Sequence, residues 1–120
     1  MTEEDVYTFI RDSIGSVWAL ELLILIQRHN ERLWHAEELV RELRSSETIV
    51  AEALARLSAA GLVVQTGDSY LYRPATAHLK HMVEELQKTY AAKPVTVIKA
   101  IMAAPNDKLR IFSDAFKLKD

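Results

Sequence analysis

Residues 46–64, SETIVAEALARLSAAGLVV, contain the strongest indications of secondary structure in the chain. The apolar residues of this stretch recur every three or four positions, which predicts a helix with one buried face. That face comprises Ile49, Val50, Ala53, Leu54 and Leu57. Gly61 then supplies the left-handed conformation that often ends a helix, and the apolar run from Leu62 begins a strand. The stretch predicts a helix that leads directly into a β-hairpin.

The flanking residues extend this unit in both directions. Residues 36–43 carry a second amphipathic pattern, and residues 44–46 predict the turn between the two helices, with a serine that caps the second one. A short strand is expected at Leu33-Trp34, and the hairpin strands are expected at residues 62–65 and 70–73. The expected order is strand, helix, turn, helix and hairpin.

The N-terminal residues predict two further helices. Residues 3–14 show helical spacing, and Gly15 breaks or bends this leading helix before a second one that Ser16 can cap. The leading helix either lies across its own domain or packs against a second copy. The apolar run at residues 17–26 contains Glu21 and is shorter than the roughly 20 residues that a membrane span requires. No membrane association is therefore expected.

The C-terminal third predicts three more helices. They cover residues 76–92, a segment that Pro94 opens, and residues 108–118. We expect these outer elements to form a homodimer or bind a protein partner, or alternatively to fold back onto their own domain. The candidate interaction residues are Phe9, Leu109, Phe112 and Phe116. The predicted organisation is an N-terminal helix (1–15), a central unit (16–75) and a C-terminal helical extension (76–120).

Composition excludes several classes of function. The chain has 120 residues, an apolar content of 49% and no cysteine, which indicates one core, no disulfide and a cytoplasmic location. His78 and His81 are three positions apart and lack a matching ligand cluster, so neither a metal nor a cofactor is expected, and the chain is not expected to be an enzyme. Four aromatic residues either pack or line an effector pocket: Trp18, Trp34, Tyr70 and Tyr72.

The order of elements, the serine turn, the Ala60-Gly61-Leu62-Val63 junction and the tyrosine-bearing hairpin resemble the winged helix-turn-helix domains of bacterial transcriptional regulators of the broad MarR type. The resemblance covers residues 16–74. It implies a mainly α fold with a small β-hairpin, to which the N-terminal helix and C-terminal helices are added. It also implies binding to double-stranded DNA. The implied contact residues are Arg44, Ser45, Ser46, Thr48, Ala51 and Arg56, with Gly67 and Ser69 on the wing.

The distribution of charge does not match that expectation. Residues 35–75 hold four basic and six acidic side chains, whereas residues 76–120 hold eight basic and five acidic ones. A DNA-binding face normally has a local positive excess, because phosphate neutralisation dominates affinity. Glu47 and Glu52 lie instead on the helix expected to read bases. Two functions remain open: a DNA-binding transcriptional regulator, and a winged helix module that binds proteins and not DNA.

Overall fold

The computed structural model describes residues 2–103, which are mainly helical and include a small three-stranded antiparallel sheet. The leading helix α1 continues into a π-helical segment. In chain order the elements are α1 (Glu3–Phe9), the π-helical segment (Ile10–Ile14), α2 (Val17–Arg28), β1 (Trp34–His35), α3 (Ala36–Leu43), α4 (Glu47–Ala59), β2 (Val63–Thr66), β3 (Ser69–Tyr72), α5 (Ala77–Ala92) and α6 (Pro94–Ala103). Along the chain, one strand precedes the pair α3 and α4 and two strands follow it.

The three strands pair antiparallel in the order β1-β3-β2. Thr66 pairs with Ser69, so a two-residue turn closes the hairpin. Each strand therefore extends one residue closer to the turn than the sequence predicts. The first strand is Trp34–His35 and not Leu33-Trp34, because Trp34 pairs with Tyr70 and His35 with Ser69. Leu33 lies outside the sheet with 51% of its surface exposed.

Short polar side chains begin most of the helices. The hydroxyls of Ser16, Ser46 and Thr76 accept hydrogen bonds from the backbone N–H three residues later, at 3.0, 3.2 and 3.0 Å. These bonds satisfy N–H groups that have no partner within the helix. His35 begins α3, and there the Glu38 carboxylate accepts the backbone N–H of His35 at 2.9 Å. This bond holds the pKa of Glu38 below its usual value, with a further contribution from Arg32.

A cluster of aromatic and charged side chains holds the loop before β1 in place. The Arg32 guanidinium lies over the Trp34 ring at 3.7 Å, and its Nη2 donates to Glu38 Oε2 at 2.6 Å. His29 meets the same ring edge-on, with 5.8 Å between the ring centroids. Such cation–π and edge-to-face contacts fix the geometry of a ring. Trp34 therefore anchors the short strand that leads into α3.

One hydrophobic core contains residues from every part of the described chain. Val6, Phe9, Ile10 and Ile14 in the leading segment are all buried in it, together with residues of α2, α4, α5 and α6. Of the two arrangements expected for the leading helix, the structure shows the first, in which it lies across its own domain. Phe9 was expected at an interface with another molecule, but it is only 7% exposed and packs inside its own chain.

The last described helix runs beside the leading segment. Lys93 Nζ, just before α6, donates to Glu3 Oε1 at 2.7 Å, and this contact lowers the pKa of Glu3 and raises that of Lys93. α6 then packs against the π-helical segment and buries Val97 and Ile101. Among residues 2–103, none of the helices has both the length and the apolar content needed to cross a membrane.

Candidate nucleic-acid interface

The corner between α3 and α4 depends on one unusual backbone position and one backbone hydrogen bond. Arg44 ends α3 in the left-handed conformation, at φ 52°, and the N–H of Ser45 donates to Val40 O at 3.1 Å. The Ser45 hydroxyl oxygen is buried without a partner among the described residues, so it faces the interior and not a ligand. The Ser46 hydroxyl caps α4. Of the two serines predicted to contact DNA, Ser45 therefore has its hydroxyl turned inward, and Ser46 uses its hydroxyl as a helix cap.

α4 has a buried side and an exposed side. Val50, Ala53, Leu54 and Leu57 are buried, as the apolar spacing predicts. Five residues of the exposed side, which we call the outer face of α4, are Glu47, Thr48, Ala51, Glu52 and Ala55. Arg56, Ser58 and Ala59 in the last turns are exposed as well. The uncharged members of the outer face are small, so another molecule could approach the helix backbone closely. Thr48 and Ala51 are thus displayed as expected, between two carboxylates.

Arg56 does not belong to this outer face. Its guanidinium occupies the space that a side chain at Gly15 would fill, at the junction between the π-helical segment and α2. Gly15 adopts the left-handed conformation, with φ +68°. The sequence places Arg56 beside the predicted DNA contacts, but helical geometry turns it towards α2 because residue 56 lies on the same side as Ile49 and Ala53. Its predicted role as a DNA contact is therefore not supported by its position.

The hairpin forms a small exposed tip. Gly67 has φ +61° and open space around it, and its carbonyl accepts a hydrogen bond from Gln65 Nε2 at 3.1 Å. Ser69 is half-buried because it pairs within the sheet. The charged side chain at the tip is Asp68. The hairpin can therefore offer backbone N–H groups to a phosphate, but its tip residues, 66–69, contain no cation.

The outer face of α4 contains no cation, but three arginines elsewhere in the helix-turn-helix and hairpin segment are exposed. Arg41 and Arg44 are exposed at the end of α3, and Arg73 is exposed just after β3.

On the inner side of the hairpin, Tyr72 is buried. Its burial, together with the nearby Glu84 carboxylate, raises its pKa to about 12. Its hydroxyl has no hydrogen-bond partner among the described residues. Tyr72 therefore supports the hairpin from within the core.

The four aromatic residues considered for an effector pocket do not line a common cavity. Trp34 and Tyr72 are buried, Tyr70 is half-buried, and Trp18 lies on the surface of α2 with 39% of its area exposed. Packing accounts for the positions of Trp34, Tyr72 and Tyr70.

His78 and His81 line a surface cavity of about 670 Å³ with Asp5. Within residues 2–103, no group of three or more His, Cys, Asp or Glu side chains is arranged to hold a metal ion.

A groove along α2 was not predicted from the sequence. Trp18, Glu21, Leu25 and Arg28 recur at helical spacing and line two cavities, of about 610 and 660 Å³. The spacing of an exposed tryptophan and a leucine on one helix face is the signal that could have revealed the groove.

The remaining interaction candidates, Leu109, Phe112 and Phe116, lie outside the described residues.

No protein-family model, curated protein or solved structure matches this chain. A function therefore has to be inferred from the arrangement of the residues themselves.

Proposed function

We propose that this chain is a DNA-binding transcriptional regulator of the winged helix-turn-helix type. In this proposal α4 enters the major groove and the β2–β3 hairpin, the wing, lies against the sugar-phosphate backbone. The order α3, turn, α4 and hairpin supports it, as does the sheet order β1-β3-β2 that ties the hairpin to the start of α3. These connections hold the hairpin and α4 in a fixed relation to each other.

The exposed outer face of α4 is the observation that carries the proposal. A helix with its side chains is about 10–12 Å across, and the major groove of B-DNA is about 12 Å wide. Thr48, Ala51 and Ala55 are small and exposed, so they would let the helix enter such a groove deeply. Large apolar residues would be expected there if the face packed against another helix, and none of these three is large.

The available side chains favour contacts with the sugar-phosphate backbone of DNA over extensive contacts with base edges. Arg41, Arg44 and Arg73 are the exposed cations that would meet phosphates on either side of α4. The Thr48 hydroxyl can bond a base edge, and the Ala51 methyl group can contact a thymine methyl. Neither makes the bidentate contact that discriminates strongly between bases. We therefore expect sequence preference to depend largely on the shape of the DNA.

The acidic residues favour a second candidate function. Glu47 and Glu52 on the outer face and Asp68 at the hairpin tip would each approach phosphate at an electrostatic cost. The same three carboxylates would attract a basic segment of a protein. The second candidate is therefore a winged helix module that binds a basic protein partner through α4 and does not bind DNA.

The first test is binding of the full chain to an arbitrary DNA duplex over a range of salt concentrations. A DNA-binding protein retains non-specific affinity whose logarithm falls linearly with the logarithm of the salt concentration, with a slope of about −0.9 per phosphate neutralised. We expect measurable affinity at low salt and a slope of a few units, one for each phosphate that Arg41, Arg44 or Arg73 neutralises. No binding at low salt would contradict DNA binding and favour the protein-binding candidate.

The double variant Glu47→Gln, Glu52→Gln separates the two candidates by the direction of its effect. Removing two carboxylates from a surface that faces phosphate should raise the affinity for DNA at low salt. The matched control is Glu37→Gln, Glu84→Gln, which removes the same charge from α3 and α5. If the control raises DNA affinity as much as the α4 variant does, net charge and not the outer face of α4 determines binding.

A further inference from the structure

A groove runs along one face of α2. Trp18, Glu21, Leu25 and Arg28 are spaced three or four residues apart, so they lie in a row along the helix. Trp18 lines a cavity of about 610 Å³, and the other three line a cavity of about 660 Å³. Because all four belong to one row, the two cavities follow one another along this face of α2, and we treat them as one groove. We call it the α2 groove.

The two walls of the α2 groove come from different parts of the fold. One wall consists of the end of α3 and one side of α4, with Leu43, Ile49 and Ala53. This side borders the outer face of α4, because Glu52 and Ala55 line the same cavity. The other consists of the end of α5 and the start of α6, with Tyr90 and Pro94. Tyr90 Oη donates to Glu21 Oε1 at 2.7 Å and so fixes the carboxylate at the groove floor.

The groove exposes apolar surface that the described residues do not cover. Trp18 is 39% exposed, and Leu25 and Ile49 are half-buried. Burial of a large apolar side chain contributes about 1.5–3 kcal/mol. A groove with an exposed tryptophan at one end and apolar residues along its length has the character of a site for an amphipathic helix.

The described chain ends beside this groove. α6 starts at Pro94, which lines the groove next to Leu25, and then packs against the π-helical segment that joins the start of α2 at Gly15. α6 therefore runs from the middle of α2 towards the end of α2 that carries Trp18. Met102, in the last turn of α6, is 76% exposed. The chain beyond Ala103 thus begins close to the Trp18 end of the groove.

The sequence that follows fits the groove in length and pattern. Residues 104–107 can span about 13 Å when extended. Residues 108–118 would form a helix about 16 Å long, whereas α2, with 12 residues, is about 18 Å long. Leu109, Phe112 and Phe116 are spaced three and four residues apart and would form one apolar stripe. This stripe matches the spacing of anchors in helices that bind grooves.

The charges are also complementary. The groove is lined by the acidic residues Glu21, Glu42 and Glu52 and by the basic residues Arg28 and Arg56. Residues 108–118 contain Lys108, Arg110 and Lys117 against one acid, Asp114. An acidic excess in the groove therefore faces a basic excess in the segment. Opposite charges at the rim of an interface mainly fix orientation and partner choice.

We infer that residues 108–118 dock as an amphipathic helix in the α2 groove of their own chain, with Phe112 and Phe116 covering the apolar surface between Trp18 and Leu25. The segment is the occupant because it starts next to the groove, has the matching length and carries the complementary charge. The inference goes beyond the proposed function, because it requires neither DNA nor a protein partner to bind α4.

The first experiment measures how far Trp18 is exposed in the full chain. Acrylamide quenching of fluorescence reports mainly on Trp18, since Trp34 is only 1% exposed. We expect Trp18 to be protected in the parent chain and quenched more strongly in the double variant Phe112→Ala, Phe116→Ala. The matched control is Ile111→Ala, which removes an apolar side chain off the stripe and should leave quenching unchanged. Equal quenching in the parent and the double variant would overturn the inference.

The second experiment locates the segment without weakening its stripe. The chain has no cysteine, so Ser113→Cys provides a single site for a nitroxide label. In a sample that carries both the label and ¹⁵N, we expect the indole N–H signal of Trp18 to broaden strongly. When labelled ¹⁴N protein is mixed with unlabelled ¹⁵N protein, that signal should stay sharp. Broadening in the mixture would show docking in a second copy, and a sharp signal in both samples would show no docking; either result overturns the inference.

Discussion

The leading segment and α4 are both amphipathic, but they use their two faces differently. Val6, Phe9, Ile10 and Ile14 bury one face of the leading segment in the chain's own core, and its opposite face is solvated by polar residues such as Thr8 and Arg11. α4 buries an equivalent apolar face but exposes small residues and two carboxylates on the other side. The apolar side of each helix therefore supports the fold, whereas the outer face of α4 is the surface that we propose binds DNA.

This difference predicts which property each substitution changes. A substitution on the buried face of the leading segment should lower stability and leave binding by the folded protein intact. A substitution on the outer face of α4 should change binding and leave stability nearly unchanged, because exposed positions usually contribute within about 0.5 kcal/mol.

Phe9→Ala should have the largest effect on stability. Phe9 is 7% exposed, and loss of a buried phenylalanine side chain typically lowers the free energy of unfolding by about 3–5 kcal/mol. The control is Thr8→Ala at the neighbouring exposed position, which should change it by no more than about 0.5 kcal/mol. Urea unfolding followed by circular dichroism measures both. A Phe9→Ala protein of nearly unchanged stability that loses a dimer would show that Phe9 belongs to an interface.

The hairpin should lose stability in alkaline solution through Tyr72. Burial raises the pKa of Tyr72 to about 12 in the folded protein, whereas an unfolded tyrosine ionises near 10. A raised folded-state pKa means that stability is intact below about pH 10 and falls as the pH rises towards 12. The loss attributable to this group is at most about 2.7 kcal/mol.

Tyr72→Phe isolates this effect. The variant should be at least as stable as the parent at pH 7, because the hydroxyl it removes is buried without a partner among residues 2–103. The stability difference between variant and parent should then grow in favour of the variant above pH 10. Tyr70→Phe, at a half-buried position of the same strand, is the control. A constant difference between pH 8 and 12 would contradict the role assigned to burial.

Arg44 allows stability and DNA binding to be changed in opposite directions. A non-glycine residue in the left-handed conformation costs about 1 kcal/mol, so Arg44→Gly should stabilise the corner by up to that amount. The loss of a cation beside α4 should at the same time weaken DNA binding. Arg44→Gln removes the charge and keeps the side-chain stem, so it should weaken DNA binding without stabilising the protein. If both variants have the same stability, the backbone at this corner is not strained.

Much of the fold could be predicted from the sequence because local signals agree. The left-handed Gly61 and the caps at Ser16 and Ser46 are confirmed. The buried stripe of α4 is confirmed at four of its five predicted positions, and the fifth, Ile49, is half-buried. The ends of the two hairpin strands differ by one residue from the predicted ends, because pairing across a two-residue turn depends on both strands together. The strand at residue 34 shifted for the same reason, because its partner Tyr70 lies far along the chain.

The candidate site was less predictable because it depends on side-chain direction. The resemblance implied that Ser45 and Arg56 contact DNA together with Thr48 and Ala51, but the corner turns the Ser45 hydroxyl inward and Arg56 lies over Gly15. The exposure of Trp18 was also missed, because it depends on how α4 and α6 pack around α2. Tertiary packing, which the local pattern does not contain, decides all three positions.

Whether α4 is the DNA-binding element can be tested by comparing two variants that add the same charge at two exposed positions. Ala51→Glu places a carboxylate in the centre of the outer face of α4, and Thr8→Glu places one on the solvated face of the leading helix. The measurement is affinity for an arbitrary DNA duplex at low salt, with circular dichroism confirming that both variants fold. We expect Thr8→Glu to bind as the parent chain does and Ala51→Glu to lose binding. Equal affinities of the two variants would contradict the claim that α4 is the DNA-binding element.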